Sequence, residues 1–218
     1  MRNEDIHFVL KLIRQMIKPL PSPFLDRLFK NRHDPFLILI GCILSLRTKD
    51  KVTKEACDRL FAIADNAKSM GHLSSRELEG AIYPVGFFRT KARQINAICQ
   101  EICQSYQGQV PDEIEELLLL KGVGRKTANL VLTLGYGKLG ICVDTHVHRI
   151  CNRLGYVKTK TPSGTEHALR KKLPSKYWIP FNKWLVTFGQ NQCLPTSPRC
   201  TTCLINQNCL KIGVNKFR

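Results

Sequence analysis

Apolar residues recur along most of this chain at the three- and four-residue spacing of amphipathic helices. The first stripe ends at a run of three prolines and consists of Ile6, Val9, Leu10, Ile13, Met16 and Ile17. A later and longer stripe consists of Ala92, Ile95, Ile98, Ile102 and Tyr106. No segment alternates apolar and polar residues for long enough to indicate a strand. The pattern therefore predicts an all-α protein.

Several helix starts are indicated by capping residues. Asp34 followed by Pro35 predicts one start, and the run 36–46 behind it is apolar on every side, as expected for a helix at the centre of a bundle. Ser74 and Glu77 form the sequence pattern of a capping box. Shorter helical patterns cover 112–120, 126–135, 145–154, 164–173 and 177–189.

The charge of the chain points to an acidic partner. Its 218 residues include 34 Lys and Arg against 17 Asp and Glu, and 43% of them are hydrophobic, as in ordinary folded proteins. From Thr145 onwards there are 13 basic residues and a single acid, Glu166. Each lysine alone could belong to a solvated face, but a field of this sign attracts a polyanion, of which nucleic acid is the commonest.

The N-terminal stripe does not resemble a secretory signal, because Glu4, Asp5, Lys11 and Arg14 interrupt it. The longest apolar run, 35–44, is about half of what a bilayer requires. We therefore expect no membrane association and a cytoplasmic protein, associated with the nucleoid if the source is prokaryotic.

Four of the ten cysteines lie in one 17-residue stretch with the spacing C-x6-C-x2-C-x5-C, namely Cys193, Cys200, Cys203 and Cys209. Four such thiolates can hold one structural zinc ion or a [4Fe-4S] cluster. Both remain open from the residues alone, although the uneven spacing favours iron. The other six are interpreted as small core side chains: Cys42, Cys57, Cys99, Cys103, Cys142 and Cys151.

The segment 121–126 reads Lys-Gly-Val-Gly-Arg-Lys between two helical patterns. It is not a P-loop, because Arg125 rather than glycine precedes Lys126 and no strand leads into it. A tight Gly-x-Gly turn between helices instead predicts a helix-hairpin-helix, in which Gly122, Val123, Gly124 and Arg125 contact a DNA phosphate without reading base sequence. A purely structural turn between two core helices is the alternative.

Three motifs together carry a family resemblance. The hairpin Gly-Val-Gly-Arg-Lys-Thr-Ala, the stretch Val-Asp-Thr-His-Val-His-Arg and the four-cysteine tail resemble endonuclease III, a bifunctional base-excision DNA glycosylase of the helix-hairpin-helix superfamily. The resemblance implies a six-helix barrel domain over 23–137 and a second helical domain formed by 1–22 and 138–218, with a DNA-binding cleft between them. It also implies a [4Fe-4S] cluster on the four cysteines.

The resemblance implies a catalytic role for two residues. Lys126 would attack the sugar C1′ and form a Schiff base that allows β-elimination, and Asp144 would assist proton transfer and stabilise the cationic sugar. Two neighbouring cations, Arg125 and Lys121, favour the neutral form of the Lys126 amine. Without the resemblance, Lys126 would be interpreted as a phosphate contact and Asp144 as a helix N-cap.

Two positions depart from the family pattern. Arg47, two residues after Ser45, stands where many members have the glutamine that fills the space of a flipped nucleotide. Phe87 stands where an intercalating leucine is common, and an aromatic wedge stacks more strongly between bases. We expect Ser45, Arg47, Phe87 and also His146 to contact DNA, whereas His148 is expected at the surface.

The implied partner is double-stranded DNA that contains damaged pyrimidines or abasic sites, and the protein is expected to be a monomer. Two alternatives remain from the sequence. A monofunctional mismatch or adenine glycosylase of the same superfamily would generally lack a lysine at position 126. A non-catalytic DNA-binding module with a structural zinc ion would be colourless and would not cut DNA.

Overall fold

The structure is a computed structural model that describes residues 3–218. These residues form twelve α-helices, one π-helical turn and one 3-10 turn, and they contain no strand, which confirms the all-α prediction. The α-helices are α1 (Asn3–Ile17), α2 (Phe24–Leu28), α3 (Pro35–Ser45), α4 (Asp50–Ile63), α5 (Ala67–Gly71), α6 (Ser75–Ile82), α7 (Phe88–Ser105), α8 (Ile114–Leu117), α9 (Arg125–Leu130), α10 (Thr145–Arg153), α11 (Pro162–Lys172) and α12 (Trp178–Asn191). None of these helices is long and apolar enough to cross a bilayer.

The chain divides into two compact units. One is the continuous segment Phe24–Lys138, called the hairpin unit below. The other joins Leu139–Arg218 to the N-terminal segment that ends at Pro23, and it is called the cysteine unit. The sequence-based boundaries, after residues 22 and 137, each lie one residue before the boundaries in the structure.

The hairpin unit is built around α3. Residues 36–44 of this helix are all buried, as its uniformly apolar sequence predicts, and α3 packs against α4, α7 and α9. Oδ1 of Asp34 caps the helix by accepting hydrogen bonds from the backbone N–H groups of Phe36 and Leu37 at 2.9 and 3.1 Å. The capping box of Ser74 and Glu77 at the start of α6 is also present.

The cysteine unit buries the N-terminal apolar stripe. Ile6, Val9, Leu10 and Ile13 are buried in a core to which α10, α11 and α12 also contribute. Helix α1 packs on α12, and α12 packs on α10. After α12 the chain continues to Arg218 in turns without a helix, and this segment carries all four cysteines of the tail.

Several elements differ from the sequence-based expectation. The helix expected over 112–120 is reduced to α8, because the chain must turn at Gly122, whose φ is +71°. The helix expected over 126–135 changes after Leu130 into a π-helical turn, where Gly135 packs closely against Pro35. Helices α2 and α5 were not predicted, because five residues are too few to display a period.

The cysteines outside the tail are buried at five of the six positions. The prediction is wrong for Cys103, which is exposed. Cys99, one helical turn earlier in α7, packs against the end of α5 at Gly71. Cys103 borders an open cavity that Lys68 and Gly71 of α5 also line, so α5 does not pack against it as it does against Cys99.

Candidate active site and cysteine cavity

The predicted hairpin turn joins α8 to α9, and these two helices pack against each other. Gly122 adopts a left-handed backbone, and a Cβ there would lie 2.6 Å from Nε2 of Gln94, which donates a hydrogen bond to the Lys121 carbonyl at 3.0 Å. Gly124 is the N-cap of α9 and contributes no side-chain cap. Val123 is buried between the two glycines, so the turn is anchored by one apolar side chain.

Lys126 is the second residue of α9 and is exposed, whereas the following residues 127–130 are buried. The thiol of Cys42 on α3 interacts electrostatically with Lys126. Burial raises the pKa of the Cys42 thiol to about 12, and the positive charge of Lys126 acts weakly in the opposite direction. The predicted nucleophile is therefore an exposed lysine at the start of a helix whose following residues are buried.

Asp144 is half-buried and caps α10. Its Oδ1 accepts hydrogen bonds from the backbone N–H groups of His146 and Val147, both at 2.9 Å. The helix-cap interpretation considered for this residue is therefore correct. A cap uses one carboxylate oxygen and fixes the orientation of the group, so it does not compete with a chemical role for the other oxygen.

His146 and the first cysteine of the tail are connected through Arg149. The guanidinium donates to Nδ1 of His146 at 3.1 Å and to the carbonyl of Cys193 at 2.8 Å. Burial lowers the pKa of this arginine. His148 is not a surface residue as expected: it is half-buried and its Nδ1 lies 2.7 Å from Oγ1 of Thr165, because α11 packs against α10.

The four cysteines of the tail line one cavity, called the cysteine cavity. Arg153 donates to Sγ of Cys193 at 3.3 Å and to the carbonyls of Leu194 and Pro195 at 2.6 Å. Burial, with a smaller contribution from the neighbouring thiols, raises the pKa of Cys203 to about 11. Among the described residues no three His, Cys, Asp or Glu side chains converge closely enough to hold one metal ion.

The residues expected to enter the duplex meet in the hairpin unit. Ser45 ends α3 and donates from Oγ to the Cys42 carbonyl at 2.7 Å. Arg47 lies two residues later, and its Cζ lies 5.7 Å from the centre of the Phe87 ring. Phe87 is 63% exposed and is the N-cap of α7. Arg47 and Phe87, called the wedge pair below, therefore form one exposed feature although they are 40 residues apart in sequence.

Comparisons with known proteins match this arrangement. A family model described as "HhH-GPD superfamily base excision DNA repair protein" matches residues 40–175. Endonuclease III of Thermotoga maritima is 43% identical over 196 residues, which are 89% of this chain and 92% of that protein. The chain belongs to the endonuclease III family. It is accordingly a DNA glycosylase and abasic-site lyase for oxidised pyrimidines, and the non-catalytic alternative is wrong.

Further members of the endonuclease III family agree. The Haemophilus influenzae enzyme is 32% identical over 200 residues, which are 92% of this chain and 93% of that protein. The chain spans 58% of the longer Bos taurus endonuclease III-like protein 1, at 42% identity over 80% of its own length. A solved structure titled as a trapped endonuclease III–DNA covalent intermediate superposes with a TM-score of 0.85 at 31% identity and covers 97% of each chain.

The sequence analysis did not predict two buried cations, Arg153 and Lys91. Arg153 lies three residues after Ile150, on the face of α10 that is buried. Lys91 lies four residues before Ile95, on the apolar face of α7, and is only 5% exposed. In both cases the signal was a cation at an apolar position of a helical stripe, which requires oxygen or sulphur partners from elsewhere in the fold.

Proposed function

We propose that Lys126 is the nucleophile of this endonuclease III family member. Its amine attacks C1′ of the damaged nucleotide, the glycosidic bond breaks, and the base leaves with the bonding electrons and takes up a proton. The bound nitrogen then loses a proton while the C1′–O4′ bond breaks and O4′ takes up a proton, which opens the sugar ring and leaves a Schiff base. Loss of a proton from C2′ next breaks the C3′–O bond and releases the 3′ phosphate. Hydrolysis of the imine returns the free lysine.

One observation carries this proposal: Lys126 is an exposed residue at the start of α9, two positions after the Gly122–Gly124 turn. The relative trapped as a covalent DNA intermediate adds support, because a covalent intermediate requires a nucleophilic side chain. A monofunctional enzyme needs no such amine.

Asp144 is proposed as the proton-transfer group that also stabilises the cationic sugar. The two cap bonds to Oδ1 support this role, because they hold the carboxylate in one orientation. The cap and the chemistry then depend on different properties of the side chain. The cap needs an oxygen acceptor, while proton transfer needs a carboxylate.

DNA binding is assigned to two groups of residues. Gly122, Val123, Gly124 and Arg125 are proposed to hold a backbone phosphate, because a glycine turn followed by a helix start attracts an anion. Ser45, Arg47, Phe87 and His146 are proposed to contact the damaged site. The partner is duplex DNA with damaged pyrimidines or abasic sites, bound by a monomer. A solved relative titled as a non-covalent endonuclease III–DNA complex, 31% identical, supports this assignment.

We assign the six-helix barrel to the hairpin unit and the cluster-bearing helical domain to the cysteine unit. The cytoplasmic location, with nucleoid association in a prokaryote, stays a prediction.

The four tail cysteines are proposed to hold a [4Fe-4S] cluster. A single zinc ion would require four sulphurs about 2.3 Å from one centre, whereas the thiolates of a cubane bind four separate irons. The four thiols line one cavity, as the ligands of a single cluster must. When bound, the cluster would cross-link the tail, and the Arg153 N–H group would donate to one ligand sulphur.

Metal analysis tests the cluster assignment. We expect the purified protein to be yellow-brown and to contain about four irons and four acid-labile sulphides per chain. Cys200→Ser should lose colour and iron, and Cys103→Ser, at the exposed thiol outside the tail, should keep both. Zinc as the stoichiometric metal in protein prepared without air would overturn the assignment.

Borohydride trapping tests the nucleophile. Wild-type protein incubated with a duplex that contains dihydrouracil or an abasic site should leave enzyme covalently attached to DNA. Lys126→Ala should lose the adduct and the excision while still binding DNA, because the turn and the basic surface remain. Lys121→Ala, on the other side of the same turn, should still be trapped. An undiminished adduct in Lys126→Ala would show that another amine is the nucleophile.

A further inference from the structure

Lys91 is a buried cation in the hairpin unit. Its ammonium donates hydrogen bonds to the carbonyls of Leu44 and Leu46 at 2.9 and 2.5 Å and to Oγ1 of Thr48 at 3.1 Å. These bonds use all three donors of the group, and every acceptor lies in the segment 44–48, at the C-terminal end of α3. A cation at this end of a helix is also favoured by the helix dipole. Burial lowers the pKa of Lys91 to about 8, so the fold holds this charge in place at a cost.

Thr48 extends the contact from this segment to a second one. Its Oγ1, which accepts from Lys91, also accepts from the backbone N–H of Gly86 at 3.2 Å. Gly86 packs so closely on the carbonyl of Arg47 that a Cβ there would come within 2.6 Å of the oxygen. Gly86 directly precedes Phe87, and the backbone N–H of Lys91 donates to the Phe87 carbonyl at 3.0 Å. The segment 44–48 and the segment 86–87 are therefore both hydrogen-bonded to the first turn of α7.

The two residues displayed by these segments are held in an unusual backbone conformation. Arg47 has a φ of 53° and Phe87 a φ of 59°, in the left-handed region that side chains other than glycine adopt rarely. Such a conformation persists where the surrounding structure enforces it, and it is found disproportionately at functional sites. Here the enforcing contacts are those of Lys91, Thr48 and Gly86.

We infer that Lys91 is a positioning residue that holds Arg47 and Phe87 together as one preformed wedge. The inference rests on the proposed entry of this pair into the duplex. A wedge ordered before DNA arrives pays less conformational entropy on insertion, and that gain matters most when the damaged base is still stacked. An abasic site has no base to extrude, so its cleavage depends less on the wedge.

Lys91→Met is the first test, because methionine keeps much of the buried volume and removes the three donors. The rates to compare are single-turnover excision of 5-hydroxycytosine paired with guanine and cleavage of an abasic site. We expect the ratio of the first rate to the second to fall about tenfold. A 2-aminopurine beside the lesion should show a smaller fluorescence rise, since less of its neighbour is extruded. Lys68→Met, at an exposed lysine outside both segments, is the control and should keep the wild-type ratio.

A double-mutant cycle separates positioning from a general loss of stability. In an Arg47→Ala/Phe87→Ala background there is no wedge to hold, so adding Lys91→Met should leave the ratio unchanged. A merely structural lysine would lower activity in both backgrounds and on both substrates alike. Equal losses on the two substrates, or a full further loss in the wedge-less background, would overturn the inference.

Thr48→Val provides a second variant if Lys91→Met does not fold. Valine has nearly the shape of threonine and removes only the oxygen shared by Lys91 and Gly86, and we expect the ratio to fall two- to threefold. An unchanged ratio in Thr48→Val would count against the inference. If Arg47→Ala/Phe87→Ala itself keeps the wild-type ratio, the proposed wedge is wrong and the inference falls with it. Borohydride trapping through Lys126 tests the proposed chemistry independently of either result.

Discussion

The starts of α9 and α10 solve the same structural problem in opposite ways. Each helix begins beside a residue proposed to act in the chemistry, and each must provide for the N–H groups of its first turn. At α10 the carboxylate of Asp144 accepts two of these groups. At α9 the N-cap is Gly124, which has no side chain to offer. A start closed by its own carboxylate repels an anion, whereas a glycine start leaves an anion room to approach.

The stability cost of the open start is small. Glycine at an N-cap costs a helix only a few tenths of a kcal/mol relative to the best caps. The chain therefore gives up little at α9 while it keeps a backbone surface that suits a phosphate. The comparison explains why we assign phosphate binding to α9 and proton transfer to the cap of α10.

Asp144 offers the largest effect with which to sharpen this comparison. Asp144→Asn keeps an oxygen for the cap and removes the carboxylate, so its thermal stability should match the wild type while excision slows by at least about 100-fold. Asp144→Ala should be as slow and also lose about 1 kcal/mol of stability. Calorimetry and single-turnover kinetics measure the two effects. Full activity in Asp144→Asn would mean that the residue is a cap and nothing more.

The two glycines of the hairpin turn should respond differently to alanine. Gly122→Ala places a Cβ in a left-handed backbone and 2.6 Å from Gln94, and we expect a loss of about 1–2 kcal/mol in unfolding free energy. Gly124→Ala meets nothing within 4 Å at a φ of −96° and should lose less than about 1 kcal/mol. Its methyl group would stand where the phosphate is proposed to bind, so it should weaken DNA binding. Unchanged affinity in Gly124→Ala would argue against a phosphate at this turn.

Cys42, the buried thiol near Lys126, should make stability depend on pH. Its pKa is raised by burial from an ordinary value of 9.0 to about 12, so the unfolded chain releases this proton first. The contribution of the protonated Cys42 thiol to the free energy of unfolding is complete below pH 9. It is lost as the pH rises towards 12, by up to about 1.4 kcal/mol per pH unit. Urea unfolding of wild type and Cys42→Ala should therefore show the destabilisation of the variant shrinking between pH 9 and 10.5. A difference that stays constant over this interval would contradict the assignment.

The smallest effect concerns the salt dependence of DNA binding. Arg125→Gln removes one proposed phosphate contact at the start of α9 and should reduce the slope of log affinity against log salt by about 0.9. Lys68→Gln, at an exposed lysine on α5, should leave the slope unchanged. Titrations at several salt concentrations give the slopes, and an Arg125→Gln slope equal to the wild type would remove this arginine from the phosphate site.

Local patterns were sufficient to predict much of this protein. Residues close together in sequence predict the apolar stripes of α1 and α7, the buried helix α3 and the caps at Asp34 and Ser74. The hairpin was equally readable, because only a glycine-containing turn lets two helices meet so tightly. These features depend on interactions within one segment, and neighbouring residues report them directly.

Other features depended on the tertiary structure. Lys91 finds its acceptors more than 40 residues earlier in the chain, and Arg153 finds Cys193 at a similar separation. The meeting of Arg47 with Phe87, the exposure of Cys103 and the partner of His148 likewise depend on which segments pack together. Helical periodicity tells which face of a segment is buried, but a buried polar group is stabilised by partners that periodicity does not name. Only the folded chain supplies those partners.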